Sequence, residues 1–344
     1  MLTRFFERHP VWSVIILLAV AILLWLIFAV WPDGLEDVIG KKKIFLNALF
    51  NGITLGALYF FVASGFTLIF GLMRNVNLAH GSLYMLGAFF CAAAAAATGN
   101  FWLGLIAGAS AAAAAGALIE IAILRRLYAR DHLDQVLATF ALILILTEGT
   151  KIVFGPFPLY LNTPALLQGT VDLGLTEYPL YRLALIGFGL AVALGLSLLI
   201  NRTRLGIRIR AGENDREMIA ALGVNIRALY TLVFALGAGL AGLAGALVGA
   251  VQAVQVGMGE PVLILAFVVI VIGGIGSIKG AMVGALMVGI IDTMGRFLLP
   301  RAFGLFLDPS QATVIGAALA SMLIYLLMAL VLVLRPKGLF PLHA

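Results

Sequence analysis

The chain has 344 residues, 63% of them hydrophobic and 11% charged, with a formal net charge of +6 and a mean hydropathy of +1.12. A soluble domain carries about 25% charged residues and could not hide this much apolar surface from water, which argues against a soluble enzyme, a disordered chain or a nucleic-acid binder. The apolar runs have helix length rather than barrel-strand length, so the fold class is all-α: a polytopic transmembrane helical bundle.

A helix needs about 20 apolar residues to cross roughly 30 Å of hydrocarbon. That ruler predicts spans at 11–31, 46–72, 78–98, 101–123, 135–154, 180–200, 228–252, 261–276, 280–299 and 313–334. The eighth is short and interrupted by Gly273, Gly274 and Gly276, which suits a broken or re-entrant helix. The expectation is therefore about 8–10 spans. Residues 1–45 form an N-terminal extension with an extra anchor helix, and 46–344 form the transmembrane domain.

In that extension, Arg4 and Arg8 precede the apolar run Val14–Val30, as in a secretory signal. The run is too long for one, and Phe28-Ala29-Val30-Trp31 lacks a small-residue cleavage site, so an uncleaved anchor is expected. In the next span Asn47, Asn51 and Thr54 fall at i, i+4 and i+7, on one helix face. The following segment carries Arg74, Asn75, Asn77, His80 and Ser82. Polar groups at membrane depth are expensive unless they face protein or water. This segment reads either as a hydrogen-bonded interfacial turn or as a break lining a solute path.

Further along, Glu120 is expected at the interface beside Arg125, and Glu148 pairs with Lys151 at i, i+3. Gln252, Gln255 and Glu260 are expected at the outer surface, as solute contacts or a solvated rim. Asp292 and Arg296 form an i, i+4 pair within the ninth span. Cys91 is the single cysteine, so no intrachain disulfide forms. The histidines (His9, His80, His132 and His343) do not cluster with Cys, Asp or Glu at metal-ligand spacing, and no nucleophile–base motif is present. Neither a metal site nor a catalytic residue is expected.

Arg202, Arg204, Arg208, Arg210, Arg216 and Arg227 make the densest basic loop, which places it in the cytoplasm. Counting spans from there puts Arg125, Arg126, Arg130, Arg335, Lys337 and both termini on the same side. Lys41, Lys42 and Lys43 land outside, against the trend. Within the loop, Asn214 or Asp215 caps a short helix that Gly223 ends, with Met218, Ile219, Ala221 and Leu222 giving an apolar side. Such a helix is marginal alone and must lie on anionic lipid or fit a cytoplasmic protein. Gly71, Gly81 and Gly87, set against Gly276, Gly280 and Gly284, hint weakly at duplicated halves.

The pattern Arg202-Thr203-Arg204-x-Gly206-x-x-x-Arg210-Ala211, followed by Ala220-Ala221-Leu222-Gly223, resembles the coupling loop of bacterial ABC importer permeases for branched-chain amino acids. Asn51–Tyr59 with Asn77–Met85, and Gly273–Ala281, are similar to two further stretches of that family, and Asn77-x-Ala79-His80-Gly81 is similar to its H-type subunit. The resemblance covers about residues 45–340. The N-terminal extension departs from it, as does Ser82, where many relatives carry an acidic residue.

The resemblance implies a permease subunit of the bacterial inner membrane and not an enzyme. It would pair with a second homologous permease, two cytoplasmic ABC ATPase subunits and a periplasmic solute-binding protein, in membrane lipid and without nucleic acid. The chain lacks a Gly-x-x-x-x-Gly-Lys-Ser/Thr loop. It would bind no cofactor, with ATP and Mg used by the ATPase chain. The residues implied in ATPase coupling are Arg202, Arg204, Gly206, Arg210, Glu213, Asp215, Ala220, Leu222 and Gly223. The substrate-path candidates are Asn51, Thr54, Asn75, Asn77, His80, Ser82 and Asp292. The expected solute is a branched-chain or other small amino acid. The alternatives are urea, short amides or small organic acids, or transport by an ATPase-independent carrier or channel.

Overall fold

The computed structural model describes residues 41–73, 77–128, 130–174 and 176–340. The expected anchor at 11–31 lies outside the described residues, as do Arg4, Arg8, His9, Arg74, Asn75 and His343. Among the described residues the helices are α1 Lys42–Met73, α2 His80–Thr98, α3 Phe101–Leu127, α4 His132–Phe154, α5 Leu180–Arg202, α6 Arg204–Asn214, α7 Arg216–Ala221, α8 Ile226–Val248, α9 Gly259–Gly273, α10 Ile278–Phe303 and α11 Pro309–Leu334. Strands β1 (Thr170–Asp172) and β2 (Glu177–Pro179) pair as an antiparallel hairpin between α4 and α5. Eight helices are long and apolar enough to cross a membrane, whereas α9 is apolar but has only 15 residues.

The axis of the bundle is α1, which is mostly buried, while α4, α5 and α11 stand at the rim and bury little. Glycines set how closely its neighbours approach. Gly52 and Gly56 face the backbone of Gly289 and Leu286 in α10, and Gly65 faces Gly237 in α8. These pairings make α8 and α10 antiparallel to α1. Small residues at such crossings let backbones meet where lipid supplies no hydrophobic drive.

Two helices begin inside the bundle rather than at its ends. His80, the first residue of α2, lies with Nε2 3.2 Å from the Val62 carbonyl. Val62 is 11 residues before the end of α1, roughly 16 Å along its axis. The Gly259 backbone, at the start of α9, lies against Gly81 at the same depth. From there the two helices diverge. α9 runs to the end of the bundle that holds the arginine-rich loop, where Gly276 lies beside Gly71, and α2 runs to the opposite end. The expected crossings at 78–98 and 261–276 are thus helices that start at mid-depth, and for the second, which runs on to the arginine-rich end, the broken-helix reading holds rather than the re-entrant one. Units α1–α2–α3 and α8–α9–α10 each contain a long helix, a break, a helix begun at mid-depth and an antiparallel return, with opposite polarity. The matching glycines are Gly81 and Gly259. Gly280, in the second glycine-rich stretch of the sequence, packs on Gly273 within its own unit.

Glu120 joins two helices. α3 passes through a π-turn at Glu120–Leu124, which rotates the side chains that follow. Glu120 lies beside Arg125 as expected and is fully buried in the protein. Arg125 donates to its carboxylate from Nε at 3.2 Å and from a terminal nitrogen at 2.7 Å, and the Thr231 hydroxyl donates at 2.7 Å. Burying a carboxylate requires such partners, and here they tie α3 to the first turns of α8.

Candidate functional site

Beside the meeting point of α2 and α9 lies a cavity of about 440 Å³. Leu55, Leu58 and Tyr59 of α1 line it at i, i+3 and i+4, with Tyr84 of α2. Val251, Gln252, Ala253, Gln255 and Met258 line it from the non-helical segment between α8 and α9. Pro261, Val262 and Leu265 of α9 continue the Met258 stripe at i+3, i+4 and i+7, the spacing of one helix face. Tyr59, Tyr84, Gln252 and Gln255 supply its polar groups. The lining therefore offers hydroxyl and amide groups among apolar ones, and the residues that α9 contributes are all aliphatic. No Asp, Glu, Lys or Arg is among the described residues that line it. Gln252, Gln255 and Pro261 are exposed, so the cavity is open on one side.

The substrate-path candidates lie elsewhere. Asn51 and Thr54 hold the hairpin: Asn51 Oδ1 accepts from the Tyr178 hydroxyl at 3.0 Å and from Arg182, and Thr54 Oγ1 lies 2.9 Å from the same hydroxyl. Thr176 of the hairpin bonds Asn47 Oδ1 at 2.9 Å, so the predicted polar face is used in full. Burial raises the pKa of Tyr178, which keeps its hydroxyl a donor. Asn77, His80 and Ser82 are buried at the break before α2. Asn77 Oδ1 accepts from Ala79 N at 3.0 Å, and Phe66 lies edge-on to His80 at 5.4 Å. Asp292 is buried and accepts from Arg296 at 2.8 Å, with the arginine side chain half-exposed. None of these residues lines the cavity.

Gln252 and Gln255 do line it and are exposed as well, because α8 ends at Val248 and the chain turns back along the mouth of the cavity before α9 starts. Tyr59 and Tyr84 carried no signal of their own, since each sits in an apolar run and reads as core. Among the described residues no three His, Cys, Asp or Glu side chains gather as a metal site.

The arginine-rich connection holds two helices where one was expected. Thr203 caps α6, its hydroxyl accepting from Gly206 N at 3.1 Å. Gly206, Ile209 and Gly212 form the buried side, and a Cβ at Gly206 would overlap the Leu199 and Ile200 carbonyls. Arg210 closes the elbow, donating to Ile200 O at 2.6 Å and to Asn201 Oδ1 at 3.3 Å. Asp215 caps α7 through Glu217 N at 3.0 Å and Met218 N at 2.9 Å, and Gly223 ends the turn with φ +86°. The Glu213 carboxylate lies against Gly71 at the end of α1. Ile219 and Leu72 converge on Gly212. Gly206, Arg210, Asp215 and Gly223 therefore build the loop, while Arg202, Arg204, Ala220 and Leu222 face outward. Met218 and Leu222 are exposed apolar residues one turn apart on this polar end.

The family described as branched-chain amino acid transport system / permease component matches residues 48–332. The high-affinity branched-chain amino acid transport system permease protein BraD of Pseudomonas aeruginosa is 31% identical over 311 residues, covering 86% of this chain and 95% of the relative. LivH of Escherichia coli K12, another high-affinity permease protein of such a system, is 31% identical over 275 residues, 75% of this chain and 88% of the relative. The probable branched-chain amino acid transport permease protein LivH of Methanocaldococcus jannaschii is 30% identical over 111 residues, 32% of this chain and 35% of the relative. No solved structure matches the chain. Its helices and its relatives make it a multi-pass membrane protein, and it belongs to the branched-chain amino acid transport permease family.

Proposed function

We propose that this chain carries branched-chain aliphatic amino acids across the bacterial inner membrane as one permease of a pair. The observation that carries this reading is the cavity: hydroxyl and amide groups, an aliphatic stripe along α9, and no charged side chain in the lining. A net-neutral zwitterion with an apolar side chain suits such a lining. A bare ion would leave its charge uncompensated at membrane depth. The open side of the cavity is the side that a second permease would cover.

In this reading the arginine-rich end is cytoplasmic, as basic loops are. Two ATPase subunits serve the permease pair, one gripping α6 and α7 through the exposed Met218 and Leu222, and they use ATP and Mg. A periplasmic solute-binding protein delivers the amino acid at the opposite end. Because Ile219 and Glu213 pack against Gly212 and α1, movement of the gripped helices reaches the bundle axis as a rigid-body shift.

The test is reconstitution of the complex in liposomes. ATP hydrolysis stimulated by the liganded binding protein, with leucine uptake, is expected. Ala220→Asp should abolish uptake while the chain still inserts. Uptake by this chain alone, driven by an ion gradient, would sink the ATPase-coupled reading. So would an Ala220→Asp variant that keeps wild-type ATPase binding and coupling.

A further inference from the structure

The cavity's polar groups and its aliphatic stripe differ in origin. The polar groups Tyr59, Tyr84 and Gln252 come from three separate elements, α1, α2 and the segment before α9. Leu55 and Leu58 of α1 and Val248, Val251 and Met258 add apolar surface, and the longest aliphatic stripe belongs to one short helix, α9, through Pro261, Val262 and Leu265. That helix is held at both ends by backbone packing: Gly259 lies on Gly81, and Gly273 lies on Gly280. A wall fixed in this way cannot retreat to admit a larger group.

We infer that Val262 and Leu265 of α9 set which side chain the permease accepts, while Tyr59, Tyr84 and Gln252 hold the zwitterionic end that all amino acids share. This rests on the solute site proposed above and assigns its parts. The polar end is the same in alanine, valine, leucine and phenylalanine, so discrimination falls to the volume left against α9. One methylene in an apolar pocket changes selection by roughly 10- to 200-fold.

The experiment uses the full complex in a Cys91→Ser background, which removes the single native thiol. Val262→Cys and Leu265→Cys are labelled with a small methanethiosulfonate in membranes lacking the periplasmic partner, so that partner's own selectivity does not enter. Millimolar leucine should slow labelling at both positions by about threefold or more, and glutamate should not. In uptake by the complete system, Val262→Phe should lower the leucine-to-alanine ratio by at least about tenfold. Leu265→Ala should raise phenylalanine relative to leucine by a similar factor. If Val262→Phe removes all uptake, the Leu265→Ala ratio and the labelling decide. Absence of protection at both cysteines, or uptake ratios within about twofold of wild type, overturns the assignment of α9. A wild-type complex that moves no aliphatic amino acid overturns the proposed function itself, and the assignment falls with it.

Discussion

Gly81 and Gly259 meet backbone to backbone where α2 and α9 both start. A Cβ on Gly259 would overlap the Gly81 carbonyl, and a Cβ on Gly81 would overlap the Gly259 carbonyl. The neighbours are main chain, so no flexible side chain can yield. Gly259→Val should destabilise the protein by about 3 kcal/mol, the upper end of ordinary overpacking, and should remove transport. Gly149 has no atom within 4 Å of the position its Cβ would take and lies within α4, so Gly149→Ala should be neutral or slightly stabilising. Thermal unfolding in detergent compares the two. Equal midpoints would mean that this contact does not hold the helix starts together.

Much of this architecture was legible in the chain. The ends of α1, α5, α10 and α11 fall within a few residues of the limits of the apolar runs, because length and hydropathy report a span directly. Depth is another matter: hydropathy does not show that His80 and Gly259 begin their helices half-way through the bundle. The pairing of Glu120 with Arg125 was legible, but the π-turn that spaces them and the Thr231 contact from α8 were not, because neither leaves a mark in hydropathy. α6 was hidden by its arginines, although Thr203 as a cap and Gly206, Ile209 and Gly212 at three-residue spacing are the marks of a helix with one buried side. Asn51 and Thr54 were rightly placed on one face, and that face holds Tyr178 and Arg182 of the hairpin and α5.

The Glu120 cluster predicts non-additive losses. Glu120→Ala strips Arg125 and Thr231 of a shared acceptor. Breaking a buried pair costs about 3–5 kcal/mol, and the lower end applies because the Arg125 side chain is 30% exposed and stays partly hydrated. Thr231→Val removes the hydroxyl that donates to Glu120 and accepts from Arg125, and should cost about 2 kcal/mol. The double variant should lose less than the two losses added together, since both substitutions break the same contact. Melting midpoints of the three variants provide the cycle, and strict additivity would show that the groups act separately.

Three neighbouring residues of α7 and its end should separate docking from folding. Met218 and Leu222 point outward, 58% and 77% exposed, and Ile219 is buried against the packing around Gly212. The pair Met218→Asp and Leu222→Asp should leave the melting midpoint unchanged and reduce ATPase co-purification at least about tenfold, an effect of 1.4 kcal/mol or more. Ile219→Asp should instead lower the midpoint, because it puts a carboxylate into a packed apolar position. Loss of stability in the first variant, or normal stability in the second, would reverse the roles given to these side chains.

The last prediction concerns the segment that roofs the cavity. Leu159, in the loop after α4, and Val254, between α8 and α9, exchange both backbone hydrogen bonds, at 2.9 and 2.8 Å. Leu161 of the same loop lies against Gly249. The loop thus holds the stretch that carries Gln252, Gln255 and Met258 over the cavity. A solute entering from this end would have to part the two strands or shift them as one. Residues paired in this way have Cα atoms about 5.5 Å apart, within reach of a disulfide. Leu159→Cys with Val254→Cys, in the Cys91→Ser background, should cross-link on mild oxidation. If the strands part during transport, the oxidised protein loses uptake and a reductant restores it. Uptake at the wild-type rate with the cross-link intact would show that the pair stays closed throughout the cycle and that the cavity is reached by another side.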